Sequence, residues 1–256
     1  IPANTATITL TPVATGAGHA AFDNVRLTYY DGTHYATEAR RRTTPVQVDG
    51  HLDDWSLDRP VPLLADNQLA VHDPAAYAWT PANLSGAAWF TWDDDGLYLA
   101  ARVRDDLHRP LGADALLDQG DSLILAIHPE NRAPGADARA FAYVVSAAPP
   151  LVGGGSHTLY RPIGYAGGNS SGHLARDSSV YNLAVRRADG FTTYELFMPW
   201  DELGGRFGAG DKLGLSLTLH DNDGGDARAA SMSWGEGNLP GWDPTRFGVL
   251  TLIDSQ

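Results

Sequence analysis

Cysteine is absent from the 256-residue sequence, which removes disulfides, zinc–thiolate sites and thiol nucleophiles together. No run approaches the roughly 20 consecutive apolar residues that a membrane-spanning helix needs. Familiar catalytic motifs are missing as well. There is no Gly-x-Ser-x-Gly elbow and no His-Glu-x-x-His pair, and the acidic residues fall mostly on turns without a catalytic pair recognisable from spacing. Helical patterning is confined to one turn, Trp200-Asp201-Glu202-Leu203, preceded by Pro199. Positive charge is short: 18 Lys and Arg against 31 Asp and Glu leave a formal net charge of −13. Long-range repulsion makes nucleic acid and anionic lipid poor partners, whereas neutral glycans, cationic ligands and divalent cations remain acceptable. No leader is recognisable at Ile1, and a mature or trimmed chain would have lost one.

What remains is strand-like. With 43% hydrophobic residues the chain can bury a sizeable core. The clearest stretch runs from Ala88 to Asp106. Leu97, Leu99, Ala101 and Val103 alternate with Tyr98, Ala100, Arg102 and Arg104, the period of two of a half-buried strand. Asp95-Gly96 supplies the hairpin turn. Further candidates are Leu69–His72, Ala87–Trp92, Gly96–Asp105, Asp121–His128, Arg139–Ser146, Val180–Arg187, Phe191–Met198, Lys212–His220, Arg228–Trp234 and Phe247–Leu252. Pro45–Trp55 reads as a short strand, an Asp-Gly turn and a buried tryptophan. Many short strands separated by Gly, Pro and Asp turns predict an all-β fold, a two-sheet antiparallel β-sandwich with long loops. The long loops are Asp73–Gly86 and Pro149–Ser179, both carrying aromatic residues.

The organisation divides in three. Residues 1–30 hold two strand-like runs, Ala6–Thr11 and Ala20–Thr28. The second, with Phe22-Asp23-Asn24-Val25-x-Leu27, is similar to the last strand of jelly-roll carbohydrate-binding modules. Residues 31–44 read as a polar linker whose Arg40-Arg41-Arg42 triplet is solvated and open to proteases. Residues 45–256 form the sandwich.

Within it the pieces Val48-Asp49-Gly50-x-Leu52-Asp53-Asp54-Trp55, Trp92-Asp93-x-Asp95-Gly96-Leu97-Tyr98-Leu99, Val103-x-Asp105 and Gly120-Asp121-Ser122-Leu123 come in order. Tyr194-Glu195-x-x-Met198-Pro199-Trp200, Gly214 to His220-Asp221, Ser233-Trp234 and Trp242-x-Pro244-x-x-Phe247-Gly248 come after them. This ordered set resembles the family 9 carbohydrate-binding modules and the wider DOMON-like sandwiches. The resemblance implies a module attached to a secreted carbohydrate-active enzyme. It also implies a sugar ring held between two tryptophans, with hydroxyls bound by Glu, Arg, Asn and Gln. Trp242 matches one tryptophan, but Leu116-Leu117-Asp118-Gln119-Gly120 stands where its partner belongs. The family's polar positions fall near Ile124, Ala142, Val144 and Thr218.

Sugar contacts are therefore sought at Trp242, Trp79, Tyr160 and Tyr165, since an exposed ring offers a flat partner to the apolar face of a pyranose. The alternative reading of each loop ring is that it folds back over the core. Trp89, Trp92, Trp200 and Trp234 lie in recurring strand or turn motifs and are expected in the scaffold, as are Trp55 and Met198. Most of the scattered histidines are expected on solvated turns. Asp105 and Asp106 end one strand and Asp121 begins a later one, so they can meet at one end of the sandwich. Asp221, Asp223 and Asp226 alternate in a Gly-containing loop. Both groups are candidate ligands for calcium, which family members often carry as a structural ion; the bland reading is ordinary Asp turns.

The expected function is a non-catalytic carbohydrate-binding module, secreted or at the surface of a bacterial cell. It binds a polysaccharide or oligosaccharide beside an upstream catalytic domain in the same polypeptide. Two alternatives stand beside it: a structural spacer whose sugar site is lost, and a haem-binding DOMON-type domain.

Overall fold

The computed structural model describes residues 35–72, 77–111, 114–130, 140–147, 158–162, 173–176, 182–236 and 244–255. The chain divides into two compact units, 1–31 and 32–256. The strand-like runs of the first unit lie outside the described residues, and the second unit holds the sandwich.

Its described strands are β1 (Ala36–Arg41), β2 (Val61–Leu63), β3 (Leu69–Val71), β4 (Leu84–Trp92), β5 (Gly96–Asp105), β6 (Ser122–His128) and β7 (Phe141–Ser146). They continue with β8 (Thr158–Pro162), β9 (His173–Arg176), β10 (Leu183–Ala188), β11 (Phe191–Pro199), β12 (Lys212–Asp221), β13 (Ala230–Trp234) and β14 (Gly248–Ile253). Pairing runs β10-β11-β5-β4-β1-β14-β12-β6-β7-β8-β9, with β2 on β4 and β13 bridging β12 to β3. Every pairing is antiparallel except those of β1, which lies parallel to both β4 and β14. The fold is the expected all-β sandwich, with one correction: β1 joins its two halves into a single ladder.

Several boundaries need correcting. Ala36–Arg41 is a strand rather than part of a linker, and the arginine triplet is half-buried and mostly paired instead of solvated. Arg41 donates to Asp94 at 2.5 Å, Arg42 pairs with Asp93, and Arg41 lies 5.3 Å from the Trp92 ring centroid. Val46–Val48 joins no ladder. The loop between β7 and β10 contains β8 and β9, and β4 already begins at Leu84.

The alternation in β5 decides what lies inside. Leu97, Leu99, Ala101 and Val103 are buried on the core face, where Leu97 stands opposite Trp92 and Met198, Leu99 opposite Phe90 and Leu196, and Ala101 opposite Ala88 and Tyr194. The second layer closes over them, for Leu219 of β12 reaches within 3.0 Å of where a Cβ on Gly86 of β4 would stand. Trp92, Trp200, Trp234 and Met198 are buried, as their motifs predict. At the hairpin, Asp93 Oδ1 accepts the N–H groups of Asp95 and Gly96. A side chain at Gly96 would strike the Met198 carbonyl, so only glycine lets β5 approach β11 there. The Trp200 indole donates to the Asp93 carbonyl at 2.8 Å and ties the 3-10 turn Trp200–Leu203 to this hairpin.

The outer face of β5 is half covered. Residues 45–59 cross it, and Trp55 packs with Tyr98 and Ala100, flanked by Val46, Val48, Leu52 and Phe197. The cover is anchored by Glu195 of β11, whose fully buried carboxylate accepts the Trp55 indole N–H at 2.6 Å and the N–H groups of Asp49 and Gly50. Burial pushes this carboxyl above its usual range, against the pull of the three donors.

Candidate functional site

Three regions bear on function. The first is the outer face of β12, β6, β7 and β8, where Thr218, Ile124, Val144 and Tyr160 stand opposite one another in one row. Ile124, Val144, Ala142 and Leu117 form a buried apolar cluster, and the Thr218 hydroxyl is 2.9 Å from that of Ser233. The positions that would carry a sugar-binding Glu, Arg and Asn thus carry hydrocarbon. Of the aromatic candidates, Trp242 and Tyr165 lie outside the described residues, as does the side chain of Tyr160. Trp79 is described: its indole N–H is donated to the Leu84 carbonyl at 2.7 Å, which braces its own loop.

The second region is the acidic end of the sandwich. Asp105 and Asp121 meet there as predicted, through His108, whose Nδ1 is 3.3 Å from Asp105 and 3.2 Å from Asp121. Asp121 also accepts the N–H of Asn222 at 2.8 Å and that of Arg109. Arg187 donates to the Asp105 carbonyl at 2.6 Å. Asp106 and Asp223 come together at the rim, where Asn83 Nδ2 donates to both. Asp221 stands apart from that pair, accepting a hydrogen bond from the Tyr77 hydroxyl at 2.5 Å. Asp226 is exposed and joins neither group.

Burial alone would depress the His108 imidazole, but its hydrogen bonds to Asp105 and Asp121 outweigh that and lift it to about 9. Burial, reinforced by the carboxylates of Asp223, Asp121 and Asp105, pushes Asp221 up to about 8 against the Tyr77 hydrogen bond. Sequence reasoning overlooked His108; the Asp105-x-x-His108 spacing was its one signal. His128 and His220 are buried too, contrary to the expectation of solvated turns.

Asp105, His108 and Asp121 converge closely enough to hold a metal ion. A fit to calcium rests on oxygen donors: carboxylates outnumber cations in this cluster, and Asp221 Oδ1 is buried without a hydrogen-bond partner. His108 is the one nitrogen among the converging atoms.

The third region lies on the outer face of the β4 half. Two clefts of about 210 Å³ each open there, and Trp89 lines both. Trp89 packs against the Trp55, Tyr98 and Ala100 cluster, as expected of a scaffold residue, and also presents part of its ring to these clefts. β4 alternates, so Phe90 and Trp92 enter the core while Trp89 stands on the opposite face, half-buried, with its indole N–H on the Leu57 carbonyl at 3.1 Å. The first cleft holds Arg40, Arg42, Arg59 and Trp55 together with the carboxylates of Glu38, Asp54 and Asp58; the second holds Arg102, Arg186 and Phe191.

The family model described as "Carbohydrate family 9 binding domain-like" matches residues 65–255. The chain belongs to this family. Among solved structures, a family 9 carbohydrate-binding module from Caldicellulosiruptor kristjanssonii matches at 18% identity with a TM-score of 0.54. Its complex with cellotriose is covered over 95% of its length and its complex with glucose over 97%, each by 86% of this chain. A Bacteroides uniformis protein matches at 12% identity and a TM-score of 0.57, covering 86% of this chain and 99% of that one. No curated protein matches the chain. At these identities the family 9 structures share the fold, and family membership supports carbohydrate binding. The apolar row at Ile124 and Val144 marks where this member departs from the residues its resemblance implied.

Proposed function

We propose that this family 9 domain is a non-catalytic carbohydrate-binding module of a secreted polysaccharide-degrading enzyme, and that it holds glycan by stacking on an aromatic side chain. The family match over residues 65–255 carries the reading. A binding module acts by effective concentration, keeping a linked catalytic domain near its substrate. Affinity electrophoresis against plant and marine polysaccharides tests it. The expected result is retardation by at least one glycan with a change in tryptophan emission. No retardation by any of them, with emission unchanged, would overturn it. A structural spacer is the second reading, favoured by the apolar cluster of Leu117, Ile124, Ala142 and Val144.

A structural calcium ion at the acidic end is part of the proposal. Asp105 and Asp121 would supply its carboxylate oxygens, and its charge would offset the burial and carboxylate repulsion that lift Asp221. Adding calcium should raise the melting temperature by several degrees, and EDTA should reverse the rise. An unchanged melting curve after thorough chelation would leave His108 and Arg187 as the cluster's own counter-charges.

A further inference from the structure

This acidic chain gathers cations without acidic partners on one face. Among the described residues, Arg41, Arg42, Arg59, Arg187, Arg228 and Arg246 each have a carboxylate partner. Arg40, Arg102, Arg104 and Arg186 have no such ion pair, and all four belong to the outer face of β1, β4, β5 and β10. Arg109, Arg206 and Lys212 also stand outside the ion pairs, but on other parts of the fold. Arg186 stands opposite Thr193, Thr193 opposite Arg102, and Arg102 opposite Ala87, so the two arginines share one row across the sheet. Opposed residues of an antiparallel ladder point to the same side. Trp89, two residues along β4 from Ala87, is therefore on that side about 7 Å away.

The second cleft gathers these groups. Arg102, Arg186, Trp89 and Phe191 line it, and Asp189 is the one carboxylate among the described residues doing so. The Arg102 guanidinium lies 4.1 Å from the Phe191 ring centroid. Stacking fixes the plane of a guanidinium while leaving its in-plane N–H groups free to donate. The Trp89 indole is held by Leu57, which is 44% exposed beside it. A flat apolar ring thus stands next to two guanidinium groups that no acid among the described residues pairs with.

A neutral sugar would use the ring and leave the charges idle. A planar carboxylate matches the guanidinium fork with two parallel hydrogen bonds. Resting on the carbohydrate-binding reading, the geometry points to a subsite for an acidic polysaccharide, its negative group on Arg102 and Arg186 and a pyranose face on Trp89. Arg40 stands beyond this subsite, in a cleft that also carries the carboxylates of Glu38, Asp54 and Asp58. It pairs in register with Thr91, four residues along β4 from Ala87, which places it about 13 Å from the Arg102 row. Its Nε is buried without a hydrogen-bond partner in the first cleft. This surface is separate from the apolar row at Ile124 and Val144.

Native gels cast with polygalacturonate, dextran sulfate or hydroxyethylcellulose test the proposal, using the wild-type chain, the Arg102→Ala/Arg186→Ala double variant and Trp89→Ala. Polygalacturonate should retard the wild-type protein. The double variant should bind at least tenfold more weakly with an unchanged melting temperature, and Trp89→Ala should also weaken binding. Retardation by dextran sulfate alone, equally lost in the double variant, supports the subsite and assigns the anion to a sulfate ester. Wild-type affinity in the double variant would overturn the proposal, as would retardation by hydroxyethylcellulose only; both leave carbohydrate binding standing. Failure of all three gels to retard the protein would overturn the subsite, while the carbohydrate-binding reading stands or falls on the wider glycan panel.

Discussion

Glu195→Ala should be the most damaging single substitution outside the hydrophobic core. It removes the acceptor for three N–H donors, those of Asp49, Gly50 and the Trp55 indole. Each hydrogen bond to a charged acceptor contributes about 1.5–3 kcal/mol, but removing the buried carboxylate also relieves its own desolvation cost, so the net loss is about 4 kcal/mol. Glutamine does not rescue it, because one carboxylate oxygen becomes an amide that faces N–H groups with its own hydrogens. The effect reaches the surface clefts. Trp55 lines the first and Gly50 and Leu52 line the second, so both lose a wall when residues 45–59 detach. Urea denaturation followed by tryptophan fluorescence should show a lower midpoint, and glycan retardation should fall together with it. A loss below about 1 kcal/mol, the scale of one ordinary hydrogen bond, would mean that Val46, Val48 and Leu52 hold the segment through apolar contact alone.

The second large effect is alkaline destabilisation. His108 titrates near 9 in the folded chain against 6.5 for the free side chain. Its stabilisation is therefore complete below about pH 6.5 and is lost as pH rises through 9. At 1.36 kcal/mol per unit, the histidine supplies at most about 3 kcal/mol. Asp221 acts in the same direction. With its carboxyl lifted to about 8, the folded state holds a proton that the unfolded state has already released, and stability falls across that range. Chemical denaturation at pH 6, 8 and 10 should show a steep decline, and His108→Ala should be less stable at pH 6 with a flatter profile. If calcium occupies the cluster, it should protect most at pH 10, where the protons have left. A stability that stays level from pH 6 to 10 would contradict both assignments.

How much of this was legible depended on whether neighbours in sequence carried the signal. The β5 alternation is self-contained: every second residue is apolar, and the hairpin follows from Asp95-Gly96. β1 reads Ala-Thr-Glu-Ala-Arg-Arg, which has no apolar period. It becomes a strand because the edges of β4 and β14 offer it two ladders, and Ala39 is the residue it buries. β8 and β9 hide for a related reason, being short pieces between glycine- and serine-rich runs that pair only with β7 and each other.

At the site the same division holds. Asp105 meeting Asp121 follows from strand ends, whereas His108 between them needs the loop geometry. Trp89 and Trp92 sit in one motif three residues apart, and parity sends them to opposite faces of the strand. Arg102 and Arg104 alternate visibly with the core residues of β5. That no acid among the described residues pairs with them depends on the neighbouring strands, and no spacing along the chain reveals it.

The parallel placement of β1 has a mechanical consequence. Its five register pairs run from Ala36 beside Val249 to Arg40 beside Ile253. A pull between the segment before Ala36 and the segment after Ile253 loads that ladder lengthwise. The hydrogen bonds then resist together in shear instead of opening one after another. Under a pull applied between those two ends, the strand that looks least like a strand is the force clamp.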